Sequence, residues 1–286
     1  MTMAVPGRSA AKGLALALSV LTLLFLLHHA AVASNAKEIN APEDLADGWK
    51  TAAPGESGFD AAALGKLDQD IRDGVHGNIH AVLVEHRGTL VFEGYYEGPD
   101  ENWATDLGVR KFGPKELHDL RSVTKSVTSL LLGIALGDNF ERELGRTLPE
   151  LFPSYRQIMV PEAETVTLAD ILTMRSGLEW NEMHVPYSSF ENDEIRMIFA
   201  PDPIALVLTR QVVQTPGTKW DYNGGNTQLL AHLIHARTGQ RLDRFAEQAL
   251  FAPLGIEAYE WRRGCWEEVF SPSAASGLRL GPRDLA

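Results

Sequence analysis

Ser122 and Lys125 stand three residues apart, so on a helix their side chains share one face. A serine hydroxyl attacks a carbonyl carbon only when a neighbour takes its proton. A lysine amine can take it once burial and nearby cations bring its pKa down from about 10.4. The pair thus offers a nucleophile with its base. A third group lies in the glycine-rich turn Pro216-Gly-Thr-Lys-Trp-Asp-Tyr-Asn-Gly-Gly-Asn226, where Tyr222 on irregular backbone could point a phenol into a cleft. Beside a lysine ammonium, that phenol could carry a proton between the serine and a leaving group. The competing role for Tyr222 is packing beside Trp220, and the serine and lysine upstream favour catalysis.

The Ser-x-x-Lys pattern occurs at Ser9 and Lys12, at Ser34 and Lys37, and at Ser122 and Lys125. Only the last opens an apolar helix. Val123, Val127, Leu130, Leu131, Ile134 and Leu136 recur at helical spacing, and Gly137 stands where a C-cap belongs. The pattern predicts a largely buried helix of roughly four turns, with Ser122 near the positive end of its dipole. His118 and Asp119 are expected to cap this helix rather than meet substrate. Residues 59–72 read as a helix, and residues 79–86 and 89–96 as a hairpin about Arg87-Gly88, the only convincing strands. Residues 34–57 read as an irregular arm, 98–117 as loop and 148–163 as coil. Thr167 opens a short capped helix, and 179–200 reads as a loop over a site. Further helices are predicted over 203–213, 227–238 and 242–251, the last stopped by Pro253.

The chain has 286 residues, 44% hydrophobic and 22% charged, enough for one globular domain with a substantial core or for two small ones. Residues 1–33 read as a secretory signal: Arg8 and Lys12, then the apolar run 14–27, then Ala31-Val-Ala33 before Ser34. An uncleaved membrane anchor over residues 14–33 is the alternative. Either reading makes residues 34–286 an exported domain, periplasmic or extracellular. Without Arg8 and Lys12 the chain carries 24 basic against 38 acidic residues, a formal charge of −14. Such a surface does not attract nucleic acid or anionic lipid.

Cys265 is the only cysteine, which excludes an intrachain disulfide and a thiolate metal cluster. The sequence has no Gly-x-Ser-x-Gly elbow, His-Glu-x-x-His or phosphate-cradling glycine loop, so neither a metal nor a cofactor is expected. His232 and His235 share a helix face with no third ligand at metal spacing and read as ordinary helix residues.

Four stretches in this order, Ser122-Val-Thr-Lys125, Leu168-Ala-Asp-Ile-Leu-Thr-Met-Arg-Ser-Gly177, Pro216-Gly-Thr-Lys-Trp-Asp-Tyr222 and Phe251-Ala-Pro-Leu-Gly255, resemble the serine β-lactamase-related family. That family holds class C β-lactamases, D-alanyl-D-alanine carboxypeptidases, esterases of the same fold and 6-aminohexanoate-dimer hydrolases. The resemblance implies an α/β (α+β) fold of β-lactamase/transpeptidase type, a helical region plus an antiparallel sheet. It also implies an acyl-enzyme with Ser122 as nucleophile, Lys125 as base and Tyr222 as proton relay, acting on a small-molecule or peptide-like substrate. The family often has Tyr-x-Asn or Tyr-x-Ser; here Asn223 directly follows the tyrosine, and a substrate-binding role is assigned to it on that ground. Tyr187-Ser188-Ser189 is a rival match without flanking agreement.

An oxyanion needs aimed donors. The backbone N–H of Ser122 would supply one, and in the family a late strand with a Lys/His-Thr-Gly motif supplies the other. Before Ala286 the only such match is Arg237-Thr238-Gly239, better explained as a helix C-cap, and residues 277–286 read as the start of a helix. The chain is therefore read as C-terminally truncated, with later strands of its sheet missing. Two functions follow: a serine hydrolase of esters, amides or β-lactams, or a non-catalytic, inactive truncated member acting as a binding module.

Overall fold

The computed structural model describes residues 39–266 and 271–286. The leader expected over residues 1–33 lies outside them. Among the described residues no helix is long and apolar enough to cross a membrane. The chain divides into two compact units, Met1–Gly98 and Pro99–Ala286.

In the first unit, β1 (Lys50–Thr51) precedes α1 (Ala61–Arg72), and β2 (Ala81–His86) and β3 (Thr89–Tyr95) form the expected hairpin. Its turn works because Arg87 and Gly88 both take positive φ, 52° and 77°, which matches the twist of the flanking strands. The strand order is β1-β3-β2, with β1 parallel to β3, so part of the arm predicted over residues 34–57 is a strand. Asp60 caps α1 by accepting from Ala62 N and Ala63 N. On the same helix Asp68 is buried and binds Arg72 one turn on and the Tyr96 hydroxyl at 3.1 Å.

The second unit corrects the loop expected over 98–117, because β4 (Gly98–Asn102) and β5 (Thr105–Arg110) pair there. Both turn residues between them, Trp103 and Ala104, have positive φ, a conformation that neither residue type advertises. His118 and Asp119 form β6 (His118–Asp119) rather than a cap. Next comes a 3-10 turn, Arg121–Val123, leading into α2 (Thr124–Leu136). Thr124, Thr128, Leu131, Leu132 and Leu136 face inward, whereas Val123, Leu130 and Ile134 are exposed, so the helix is half-buried, not largely buried. Their spacing gives α2 a second apolar face.

The stretch expected as coil over 148–163 is mostly helical turns, at Leu148–Leu151, Pro153–Ile158 and Pro161–Thr165. Thr167 caps α3 (Leu168–Leu172) in the predicted box with Asp170. The supposed loop over 179–200 closes with α4 (Asp193–Phe199), and α5 (Pro203–Leu208) follows.

The longest helix among the described residues, α6 (Gly224–Thr238), starts three residues earlier than its apolar pattern predicts, so Gly224 and Gly225 belong to its first turn rather than to the turn before it. Close packing explains both glycines. A methyl at Gly225 would lie 2.7 Å from Val207 and 2.9 Å from the Trp180 ring. At its far end Gly239, with φ 72°, caps the helix, as expected for Arg237-Thr238-Gly239. Then α7 (Leu242–Ala246) runs through a wider turn into Ala252–Leu254. Pro253 does not stop it, because proline is accommodated within the first turn of that last segment.

Residues 277–286 begin as strand, not helix: β7 (Tyr259–Trp261) and β6 flank β8 (Leu278–Leu280), and only then comes the turn α8 (Pro282–Leu285). The core gathers Leu131, Leu132 and Leu136 of α2 with Leu229, Leu230, Leu233 and Ile234 of α6 and with Leu278 and Leu280 of β8.

Candidate active site

The sequence before Ser122 fixes its place. β6 is paired to β8, and Asp119 holds both the Trp103 amide, at 2.7 Å, and Arg279, at 2.7 Å. The chain must then turn sharply. Arg121 turns it in the left-handed region, with φ 47°, a conformation that costs a residue with a side chain about 1 kcal/mol. Arg121 is held by Glu101, and Ser122 emerges on the lead-in turn of α2.

One turn on, Lys125 Nζ lies 3.3 Å from Ser122 Oγ. The same ammonium donates to Ala275 O at 2.9 Å and stands 4.8 Å from the centre of the Tyr222 ring. Ser122, Lys125 and Tyr222 are thus brought together. The detail differs from the sequence reading, in that Tyr222 presents its ring face to the ammonium, an electrostatically favourable contact.

Asn223 is committed elsewhere. Its side-chain oxygen caps α6 by accepting from Asn226 N at 3.0 Å, and its buried amide nitrogen has no partner among the described residues. A buried, helix-capping side chain is poorly placed to reach a ligand.

Ser122 opens onto a pocket of about 540 Å3 walled by Trp103, Tyr187, Ile195, Ile198, Glu194 and Ser276, among others. Tyr187, the rival tyrosine, is therefore on the wall, and its hydroxyl donates to Glu182 Oε1 at 2.9 Å. The acidic run Glu191-Asn-Asp-Glu194 reads in sequence either as a loop overhanging the cleft, which would disfavour anionic substrates, or as a solvated surface loop; the second is excluded, because only its first residue is exposed. Asn192 caps α4, Asp193 pairs with Arg210 at 2.6 Å, and Glu194 accepts from the Ser276 hydroxyl at 2.6 Å.

Burial, then hydrogen bonding and repulsion from Glu182, push the Glu194 carboxyl up to about 7, against weaker opposing effects of Lys125 and Ser276. Burial and the neighbouring carboxylates likewise push the Tyr187 hydroxyl up. Glu182, Ser276 and Trp103 were not singled out from sequence, and Glu194 only as part of an acidic run. The one available signal was the acidic run containing Glu194.

Segment 271–281 completes the site. It is buried throughout and fastened largely by side chains: Thr128 Oγ1 donates to Ala274 O at 2.9 Å, and Leu278 N donates to Thr124 Oγ1 at 3.2 Å. Gln228 holds both Pro272 O and Ala274 N. Among the described residues no cluster of three or more His, Cys, Asp or Glu could hold a metal ion. His232 packs between Phe152 and Tyr155, and burial lowers its pKa.

Comparison with known proteins follows this geometry. A protein described as a 6-aminohexanoate-dimer hydrolase from Bacillus anthracis superposes with a TM-score of 0.56 at 20% identity, covering 76% of this chain and 54% of its own. One described as a β-lactamase from Bacteroides dorei DSM 17855 gives 0.56 at 16% identity, covering 77% and 60%. The D-amino acid amidase from Ochrobactrum anthropi SV3, in complex with D-phenylalanine, gives 0.52 at 17% identity, covering 78% and 68%. The chain thus spans little more than half the length of the first two. At these identities the likeness is one of fold, and it bears out the expected α/β (α+β) fold of β-lactamase/transpeptidase type, seen here as helices and small sheets. No curated protein matches. The sequence pattern of the Beta-lactamase family matches residues 67–264, most of the chain, and on that ground the chain belongs to this family.

Proposed function

We propose that the chain is a serine hydrolase acting through an acyl-enzyme on an ester, amide or β-lactam, and the observation that carries this is the 3.3 Å approach of Lys125 Nζ to Ser122 Oγ at a pocket wall. Ser122 Oγ bonds to the substrate carbonyl carbon while its proton passes to the unprotonated Lys125 amine. The Tyr222 ring face steadies the ammonium so formed, and the phenol relays the proton to the leaving group as the carbonyl–leaving-group bond breaks. The Ser122 backbone N–H is one donor to the oxyanion. Water then hydrolyses the ester and restores Ser122. From the leader-like residues 1–33 we further propose that this reaction takes place outside the cytoplasm, which cell fractionation of the full chain checks.

The test is covalent labelling by a fluorophosphonate probe, with nitrocefin and short p-nitrophenyl esters run in parallel. Wild type should label at Ser122. Ser122→Ala should abolish labelling, Lys125→Ala should slow it by about a hundredfold or more, and Tyr222→Phe, which keeps the ring, should slow turnover more than labelling. Labelling that survives Ser122→Ala overturns the assignment.

A further inference from the structure

Two carboxyl groups meet behind the pocket wall. Glu182 Oε2 accepts from Trp180 Nε1 and from Gly224 N, each at 2.7 Å, and Oε1 accepts from the Tyr187 hydroxyl at 2.9 Å. Among the described residues Glu194 Oε1 takes only the Ser276 hydroxyl, at 2.6 Å, and the other end of this carboxyl lies within hydrogen-bonding reach of Glu182. Both groups crowd onto Gly224, where a methyl would sit 2.9 Å from Glu182 Oε2 and 3.4 Å from Glu194 Oε2. Two buried anions cannot share such a space, whereas one proton between them turns repulsion into a strong hydrogen bond.

The donors decide where that proton rests. Glu182 has three of them and lies at the positive end of α6, so it carries the charge. Glu194, with one hydroxyl donor, is the protonated member and donates to Glu182.

We propose that Glu182 and Glu194 share one proton and act together as positioning residues for the nucleophile's base. Through Ser276 they fix the adjacent Ala275 carbonyl that holds Lys125 Nζ, and through Tyr187 they fix the pocket wall. The groups facing the pair are Lys125 from α2, Tyr187 from the stretch before α4, and Ser276, with Tyr222 from the turn before α6 acting on Tyr187. Loss of the shared proton places a second negative charge beside Lys125. That charge holds Lys125 as an ammonium, which cannot take the Ser122 proton, and drives the carboxyls apart. The site is thereby damped as pH rises through neutrality. This rests on Lys125 being the base proposed above, although the shared proton itself does not.

Two measurements on the full chain separate the claims. The first is the melting temperature of wild type and Glu194→Gln across the range from about pH 5 to about pH 8. Glutamine imitates the protonated acid, accepting from Ser276 and donating to Glu182. The folded chain binds the Glu194 proton more tightly than the unfolded chain, so wild-type stability falls between about pH 4.5 and about pH 7, and the variant escapes that loss. The variant should therefore gain on wild type as pH rises, and a difference that is flat with pH overturns the shared proton whether or not the chain is an enzyme.

The second is the ratio of fluorophosphonate labelling rates, Glu194→Gln over wild type. It should rise at least about threefold from pH 6 to pH 8, because only wild type gains the second negative charge beside Lys125. A constant ratio beside a sloping melting difference overturns the positioning role. Absence of labelling in wild type strikes at the hydrolase reading and leaves the melting result to judge the pair. Glu194→Ala, which removes the seat for Ser276, should lower the labelling rate about tenfold or more, and recovery of the pH 6 rate in Glu194→Gln should mark this as loss of the hydrogen bond rather than of folding.

Discussion

Glu143 and Glu194 are both buried glutamates of the second unit, and their surroundings drive them in opposite directions. Glu143 receives Arg146 at 2.9 Å and Arg237 closer still, so although burial would raise its carboxyl pKa, the two guanidiniums lower it. Glu194, buried, faces the carboxyl group of Glu182 and a hydroxyl, and is raised. The first arrangement neutralises a charge and clamps α6 to the turn that follows α2. The second keeps an acid protonated at the edge of a pocket, which favours no fold in particular. Burial alone therefore does not separate a structural carboxylate from a functional one. The sign of its partners does.

The comparison can be broken most forcefully at Glu143. Glu143→Gln should cost about 3 kcal/mol at neutral pH, somewhat less if solvent screens the partly exposed arginines. Because the wild-type carboxylate is stabilised only while ionised, that penalty should shrink as pH falls below about 4.5, as urea denaturation at several pH values would reveal. A penalty independent of pH would remove the contrast. Next in size, Gly224→Ala forces a methyl against Glu182 and should cost about 2 kcal/mol while slowing fluorophosphonate labelling.

Glu194→Gln should show the opposite slope to Glu143→Gln, with a gain of about 1 kcal/mol on the alkaline side and none in acid. Crossed slopes for the two variants would be the sharpest expression of the difference. Smallest, Tyr187→Phe takes one of three donors from Glu182 and should cost about 0.5 kcal/mol, discounted for the exposure of the tyrosine, with a matching drop in Tm.

The catalytic candidates were legible in sequence and the acid pair was not. Ser122 and Lys125 declare themselves because three residues is one helical turn, a local rule. The Arg87-Gly88 turn, the Thr167 box and the glycine after α6 are equally local. Glu182 and Glu194 meet only because an irregular stretch folds back on α6, and no periodicity records that. β4 and β5 escaped notice for another reason. Their residues are mostly polar and exposed, without alternation, and Trp103-Ala104 lacks the Asn-Gly signature of a turn with two positive φ angles. Strand β8 was mistaken for helix because Leu278-Arg-Leu280 is too short for either period to show. What selects strand is Arg279 reaching Asp119 and Glu260 on its two neighbours.

The way segment 271–281 is fastened has a kinetic consequence. Lys125 and Ala275 are 150 residues apart, and the anchors on residues 272–278 include side chains borne by α2 and α6, namely Thr124, Lys125, Thr128 and Gln228. Those helices must dock before the anchors can close, so the lysine receives its carbonyl late in folding, and this long-range latch is among the first parts to open. Native-state hydrogen exchange should find the amides of Ala274 and Leu278 released while the middle of α6 stays protected, so that the chain can lose its chemistry well before it loses its shape.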